Sequence, residues 1–413
     1  MVYFIITPLL MIEKILNTIY RDVRKTNKGN VAKYIPELAN IDASKFGISV
    51  CLTSGEQFSV GNAHEHFSLQ SCSKPLSYCI AYDEHGKDYV HKHVGYEPSG
   101  MSFNAHILNK KGLPHNPLIN AGAIMISSLI QSDKEPSHRF HTIKNTFSKL
   151  AGNNAIGFDN SVFLSEQHHA DRNMSLAYFM RENGAYGEKI KHCELHEGLD
   201  LYYQQCATTI TCEHGAIIAA TLANQGACPT TNEHVFSKNS VNDCLSLMRS
   251  CGLYDYTGEF AFEVGLPAKS GVSGCVMMVI PNVMGICVWS PLLDERGNSV
   301  KGIEVCKLLH KELDVSQKSA TYSESARFMQ ACYDGDYAVV TDMITVGCAD
   351  INGSDYNLQT PLHLASHNNH TIIVKLLLDE GAISKKDRWG KYPTIHTFEK
   401  NLDKYDENNY NNV

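Results

Sequence analysis

The chain of 413 residues has no run of 18 apolar residues, so a membrane-spanning helix is not expected. It has no long basic run either. Its 36 Lys and Arg against 44 Asp and Glu leave a net charge of -8, which makes nucleic acid and anionic membranes poor partners. Fourteen cysteines occur without one C-x-x-C pair, which argues against a zinc ribbon or a thioredoxin-type motif. H-E-x-x-H is missing too. His192-Cys193-Glu194-Leu195-His196 spaces two histidines as a zinc helix would, but the glutamate is displaced and further ligands are absent. His168-His169 and His91-Lys92-His93 are equally unaccompanied, so no metal is expected and the 20 histidines read as surface composition. The apolar start, Met1 to Met11, lacks a basic flank and a small-residue cleavage site, and it is not Arg-rich. Cysteines set among apolar neighbours, as in Val50-Cys51-Leu52 and Ile286-Cys287-Val288, read as reduced small hydrophobes. A cytoplasmic protein is the expectation, with mitochondria left open.

What is present is an ordinary globular composition, 43% hydrophobic and 19% charged. Ile12 to Arg24 predicts a helix from its 3- and 4-residue apolar spacing. Phe46–Leu52 and Gln57–Val60 flank a turn at 53–56 and predict a β-hairpin. A second pair is expected much later, Ser273–Ile280 and Met284–Trp289 around Pro281-Asn282. Helical patterns lie between, notably Ala121–Gln131, Thr209–Asn224 and Val241–Ser250, and Gly302–Asp314 closes the segment. Strands at both ends with helices between predict an α+β unit: one antiparallel sheet, a helical lobe, and a site in the crevice between them.

Residues 315–322 then read as a polar linker. Beyond it, Ala331, Val340, Met343 and Gly347 recur 34 residues later as Ala365, Val374, Leu377 and Gly381. Thr360-Pro361-Leu362-His363-x-Ala365 is the ankyrin helix-start signature, and Asp387 and Pro393 begin a partial third unit. The expected organisation is a catalytic unit at 1–314, a linker at 315–322, ankyrin repeats at 323–400 and a polar tail at 401–413.

The chemistry-bearing stretch is Ser71-Cys72-Ser73-Lys74-Pro75. S-x-x-K sets a hydroxyl and an amine on one helix face, where a partly desolvated lysine can take the serine's proton. Pro75 suits a first helical turn, which places Ser71 near the positive end of the helix dipole. Lys269-Ser270-Gly271 is a companion at the second strand pair, as in active-site serine enzymes of the β-lactamase and penicillin-binding type. Their middle S-x-N element has no convincing match; Ser237-Lys238-Asn239 and Ser240-Val241-Asn242 read as chance. Cys72 points about 100° from Ser71 and is assigned to packing.

Taken in order, five segments are similar to the serine-dependent glutaminases over roughly Val31 to Leu309. They are Ala32–Leu38, Leu69–Leu76, Pro114–Ile124, Ser165-Glu166 with Asp171-Arg172-Asn173, and Gly265–Gly274. Glu97 to Asn104 resembles the gating loop of the kidney-type, phosphate-activated branch, and ankyrin repeats after the catalytic unit resemble it too. The resemblance implies a β-lactamase-like fold and hydrolysis of L-glutamine to L-glutamate and ammonia, with no cofactor and phosphate as an activator. It also implies a homotetramer or larger assembly, with a protein partner on the ankyrin face. It puts the nucleophile on Ser71, the base on Lys74 and a proton relay on Tyr254. Substrate-binding positions fall on Tyr34, Ser71, Asn120, Glu166, Asn173, Tyr202, Tyr254 and Val272, with the Ser71 and Val272 N–H groups as the oxyanion hole. Two positions depart from the family pattern: Cys206-Ala207 stands for Cys-Ser, and Asn62 for an aspartate.

Plainer roles stay open for some of these residues. Asn120 suits an N-cap, Glu166 an ion pair with Arg172, and Tyr34 simple packing. Two other functions compete. A penicillin-recognising hydrolase would need export and S-x-N. An ankyrin interaction protein with a lapsed catalytic unit would show decay at Ser71, Lys74 or Tyr254.

Overall fold

The computed structural model describes residues 2–101, 105–187, 195–313, 324–355 and 357–394. The chain forms two compact units, Met1–Asp314 and Val315–Val413. The segments expected as linker and tail lie outside the described residues, as do parts of the expected gating loop and of the His192–His196 pattern.

Eight strands are described: β1 Gly47–Leu52, β2 Gln57–Gly61, β3 Phe67–Ser68, β4 Gly157–Phe158, β5 Thr208–Ile210, β6 Ala268–Ser270, β7 Cys275–Ile280 and β8 Met284–Trp289. Five of them make an antiparallel sheet in the order β2-β1-β8-β7-β6. The two hairpins predicted more than 200 residues apart meet along β1 and β8, from Gly47↔Trp289 to Leu52↔Met284. β7 and β8 are buried at every position. That explains their continuous apolar runs, because the sheet is covered on both faces. The helix Cys212–Ala223 packs on β1, β7 and β8; the helices Val2–Val23 and Val300–Glu312 pack on each other and on the sheet. A Cβ at Gly285 would strike the Ala219–Ala220 backbone, so the glycine sets how closely that helix approaches β8.

Two expectations change here. Thr209–Asn224 is not one helix: β5 pairs with β3 and β4 in a second, three-stranded sheet, and the helix begins only at Cys212. Thr208, Thr209 and Ile210 are β-branched and favour extended backbone, and the Thr211 hydroxyl then accepts from the His214 N–H at 3.2 Å as an N-cap. The K-S-G triplet does not open β7. Lys269 and Ser270 lie on β6, and a turn closed by Gly274 N–H to Gly271 O (2.9 Å) precedes β7.

The helical lobe includes Asn120–Leu129, Pro136–Leu150, Asn160–His168, Asp171–Glu182 and Leu195–Cys206. No described helix is long and apolar enough to cross a membrane. The thirteen described cysteines are free, all but Cys251 and Cys348 fully buried.

In the second unit, helix pairs Glu324–Asp334 with Tyr337–Val346 and Pro361–His367 with Thr371–Asp379 reproduce the 34-residue repeat. Their core is Phe328, Ala331, Cys332, Val340, Met343, Leu362, Ala365, Ile373, Val374 and Leu377. His363 explains the signature. Its Nδ1 accepts from the Thr360 N–H at 3.0 Å, which leaves Nε2 to donate to Lys391 O at 3.2 Å and tie one repeat to the next.

Candidate active site

After β3 the chain enters a 3₁₀ turn, Gln70–Ser73, and continues as the helix Lys74–His85 with Pro75 in its first turn. Ser71 therefore sits in the tighter turn rather than in the α-helix. Residues three apart eclipse in a 3₁₀ turn, so Ser71 and Lys74 still share a face. Gln70 has a φ of +50°, a left-handed conformation that costs a non-glycine residue about 1–2 kcal/mol. Its side chain is anchored at both ends: Nε2 donates to Glu166 Oε1 at 3.1 Å, and Oε1 accepts from the Tyr34 hydroxyl at 3.3 Å.

Lys74 is 2% exposed, and its Nζ donates to Asn120 Oδ1 at 2.7 Å. Burial, then the neighbouring charge of Lys269, brings its amine down to about 7. Asn120 is the first residue of its helix, after Ile119, and its Nδ2 donates to Asn173 Oδ1 at 3.2 Å. It is therefore not an N-cap; its side chain links Lys74 to Asn173. Tyr202 covers Lys74, with Nζ 5.8 Å from the ring centre. Burial holds its phenol well above the ordinary range.

Glu166, 6% exposed, accepts at Oε1 from the Tyr34 hydroxyl at 2.7 Å as well as from Gln70. Tyr34 and Gln70 thus take the place expected for Arg172. Burial raises the Glu166 carboxyl; the Tyr34 and Gln70 bonds and Lys74 oppose it. Tyr34 is more than a packing aromatic, since the residue is 45% exposed while its hydroxyl donates to Glu166. Burial of that hydroxyl end, then the Glu166 charge, pushes its phenol up.

Tyr254 opens the short turn Tyr254–Tyr256 at a φ of +53°. Its hydroxyl donates to Ser270 O at 3.1 Å and is hydrogen-bonded with Ser71; burial raises its pKa. Val272 follows Gly271 in the turn after β6. A Cβ at Gly271 would lie 3.0 Å from Leu69 O and 3.3 Å from Cys72 Sγ, so this turn is pressed against the Ser71 turn. As the second residue of a β-turn, Val272 does not use its N–H in the closing bond. Its side chain packs with Ile35, Leu38, Val162 and Ala207.

The fold thus brings the predicted residues into contact: Tyr34 with Glu166, Lys74 with Asn120 and Tyr202, Asn120 with Asn173, Tyr254 with Ser71, and the Val272 turn against the Ser71 turn. Sequence reasoning missed Gln70, whose only signal was its place before Ser71. Cys72 is buried with its Sγ donating to Lys269 O at 3.3 Å, and burial holds its thiol well above the ordinary range. Ser237 of the first chance S-x-N match starts the helix Lys238–Cys251, its hydroxyl accepting from Ser240 N–H at 3.2 Å. A recess of about 640 Å³ lined by Asn224, His234, Phe236 and Lys238, among others, shares no residue with these contacts. No group of three or more metal-ligating side chains occurs among the described residues.

A five-stranded antiparallel sheet with a helical lobe makes a β-lactamase-like α+β fold. The chain belongs to the glutaminase family: that family's model matches residues 29–317, and a model of three ankyrin repeats matches residues 328–401. It is 40% identical over 397 residues to "Glutaminase liver isoform, mitochondrial" of Rattus norvegicus, covering 92% of this chain and 65% of that protein. The chain thus spans just under two thirds of that curated relative's length. It is 42% identical over 308 residues to "Glutaminase" of Nostoc sp., covering 74% of this chain and 89% of that one. The solved structure of the "Probable glutaminase ybaS" superposes with a TM-score of 0.70 at 34% identity, covering 74% of this chain and 97% of that chain.

Proposed function

We propose that this protein hydrolyses L-glutamine to L-glutamate and ammonia through a glutamyl-serine intermediate on Ser71. The observation that carries the reading is Lys74: a buried amine brought to about 7, on the face of the Ser71 hydroxyl. Such a lysine is available as a neutral base near neutral pH. Ser71 Oγ attacks the side-chain amide carbon of glutamine and its proton passes to Lys74 Nζ. The oxyanion that forms is held by the N–H groups of Ser71 and Val272. As the C–N bond breaks, Tyr254 delivers the proton with which ammonia leaves. Lys74 then returns its proton to Tyr254 and is neutral again; water attacks the ester as its proton passes to Lys74, and Lys74 hands that proton to Ser71 Oγ as glutamate departs.

The charged and amide side chains suit a zwitterionic substrate. Glu166, set by Tyr34 and Gln70, pairs with the α-ammonium; the amides of Asn120 and Asn173 and the Tyr202 phenol receive the α-carboxylate. Phosphate activation, a homotetramer and a protein partner on the ankyrin face belong to the same reading. Light scattering with and without phosphate tests the assembly, and a mass of one chain under both conditions would contradict it.

Ammonia release from glutamine by the purified protein, beside Ser71→Ala, tests the mechanism. Ser71→Ala is expected to lose at least about 1,000-fold in kcat; equal rates would sink it. Asparagine, one methylene shorter, is expected to be a poor substrate.

A further inference from the structure

Lys269 opens the K-S-G triplet, yet no step of the proposed reaction uses its side chain. It is wholly buried on β6. Its Nζ donates to Ser270 O at 2.6 Å and to Gly252 O at 3.0 Å, and lies 4.5 Å from the centre of the Tyr254 ring. Each carbonyl receives a second donor: Ser270 O takes the Tyr254 hydroxyl at 3.1 Å, and Gly252 O takes the Ser270 N–H at 3.2 Å. One amine therefore ties the segment leading into Tyr254 to the strand leading into Gly271-Val272.

Burying an amine costs free energy that an apolar side chain would not incur. Tyr254 adds to the cost with its left-handed backbone, which persists only where the surroundings fix it. A buried cation against the ring face and on the carbonyl that receives the phenol supplies that fixing.

We propose that Lys269 is a positioning residue: it holds the Ser270 carbonyl and the Tyr254 ring in one cluster and aims the phenol at Ser71. The inference rests on the roles given above to Ser71, Lys74 and Tyr254. The titratable groups that face Lys269 are Cys72 from the 3₁₀ turn, Cys275 from β7, Cys251 from the end of the helix Lys238–Cys251, Tyr254 and Lys74. Burial brings its own amine down to about 8. Its charge disfavours a second charge on Lys74.

The test is a double-mutant cycle with Lys269→Met, Tyr254→Phe and the double variant, read as kcat, KM and the pH profile of kcat/KM. Lys269→Met is expected to lower kcat about 100-fold, the scale of one displaced proton-transfer group, with KM changed by no more than about threefold. The double variant should be no slower than the slower single variant, because both changes remove one function. The acid limb of Lys269→Met should move to higher pH, since Lys74 loses the neighbour that lowers its pKa. Lys269→Gln keeps a donor for the carbonyls without the charge; it should recover part of kcat but keep the displaced limb. Should Lys269→Met fail to fold, Lys269→Gln is put through the same cycle. Losses that multiply in the double variant, or an unchanged kcat with an unmoved limb, would overturn the proposal. Failure of the underlying mechanism is separable: it shows as activity in Ser71→Ala, whatever Lys269 does.

Discussion

The two units bury polar groups in opposite ways. In the ankyrin unit the buried polar residues are Thr360, His363, Ser366 and Asp387. Nearly all their bonds are local: His363 binds Thr360, Ser366 donates to His363 O, and Asp387 accepts from the N–H groups of Trp389 and Lys391. At the candidate site of the larger unit the bonds join distant segments. Tyr34 reaches Glu166 across 132 residues, Gln70 reaches Glu166 across 96, and Lys74 reaches Asn120 across 46. The local bonds cap helices and close turns, so they stabilise the element that contains them. The long-range bonds hold a carboxylate and an amine out of water at a cost in stability, an arrangement that marks a functional site more than a structural one.

Four substitutions would break or sharpen that contrast. The largest effect is expected at Lys74→Met, with kcat falling at least about 1,000-fold. In the wild type, kcat/KM should rise with pH through a limb near 7 as Lys74 loses its proton. The same substitution should raise Tm at neutral pH. With Lys74 at about 7 folded and an ordinary value of 10.5 unfolded, its full penalty applies below about 7 and fades as pH climbs toward 10.5. A melting series across that window checks the sign: the advantage of Lys74→Met should shrink with rising pH.

Next is Leu377→Ala in the ankyrin core, expected to cost about 2–5 kcal/mol in that unit's own unfolding transition. Ammonia release measured below both transitions should stay within about twofold of wild type. Gln70→Ala should act on binding: KM for glutamine rises about tenfold or more, as Glu166 loses a bond to its charged form. The smallest effect is expected at Thr360→Ala, about 1 kcal/mol of ankyrin stability with no change in kcat or KM. A kinetic effect there comparable to that of Gln70→Ala would erase the distinction between the two kinds of burial.

The same contrast explains what could be read from the chain. The ankyrin repeat was legible because its spacing and its Thr-Pro-Leu-His start are local facts. The β1–β2 and β7–β8 hairpins were legible for the same reason. The Thr209–Asn224 error came from reading a buried apolar run without weighing its β-branched start. That Lys269 lies on a strand of its own, β6, is not legible, because a three-residue strand leaves almost no periodic signal. Gln70 was missed because its role exists only once Glu166 and Tyr34 are brought to it. The site residues were named by resemblance, and the fold supplies what resemblance could not: which of them touch.

The central claim, that Ser71 carries the glutamyl group, is tested most directly by rapid acid quench of the protein turning over glutamine, followed by mass analysis of the peptide containing Ser71. Tyr254→Phe, expected to slow proton transfer, offers a second chance to accumulate the ester. The account predicts a glutamyl adduct on Ser71 that forms with glutamine and is absent in Ser71→Ala. An adduct on Cys72 or Cys206, or full ammonia release by Ser71→Ala, would contradict it.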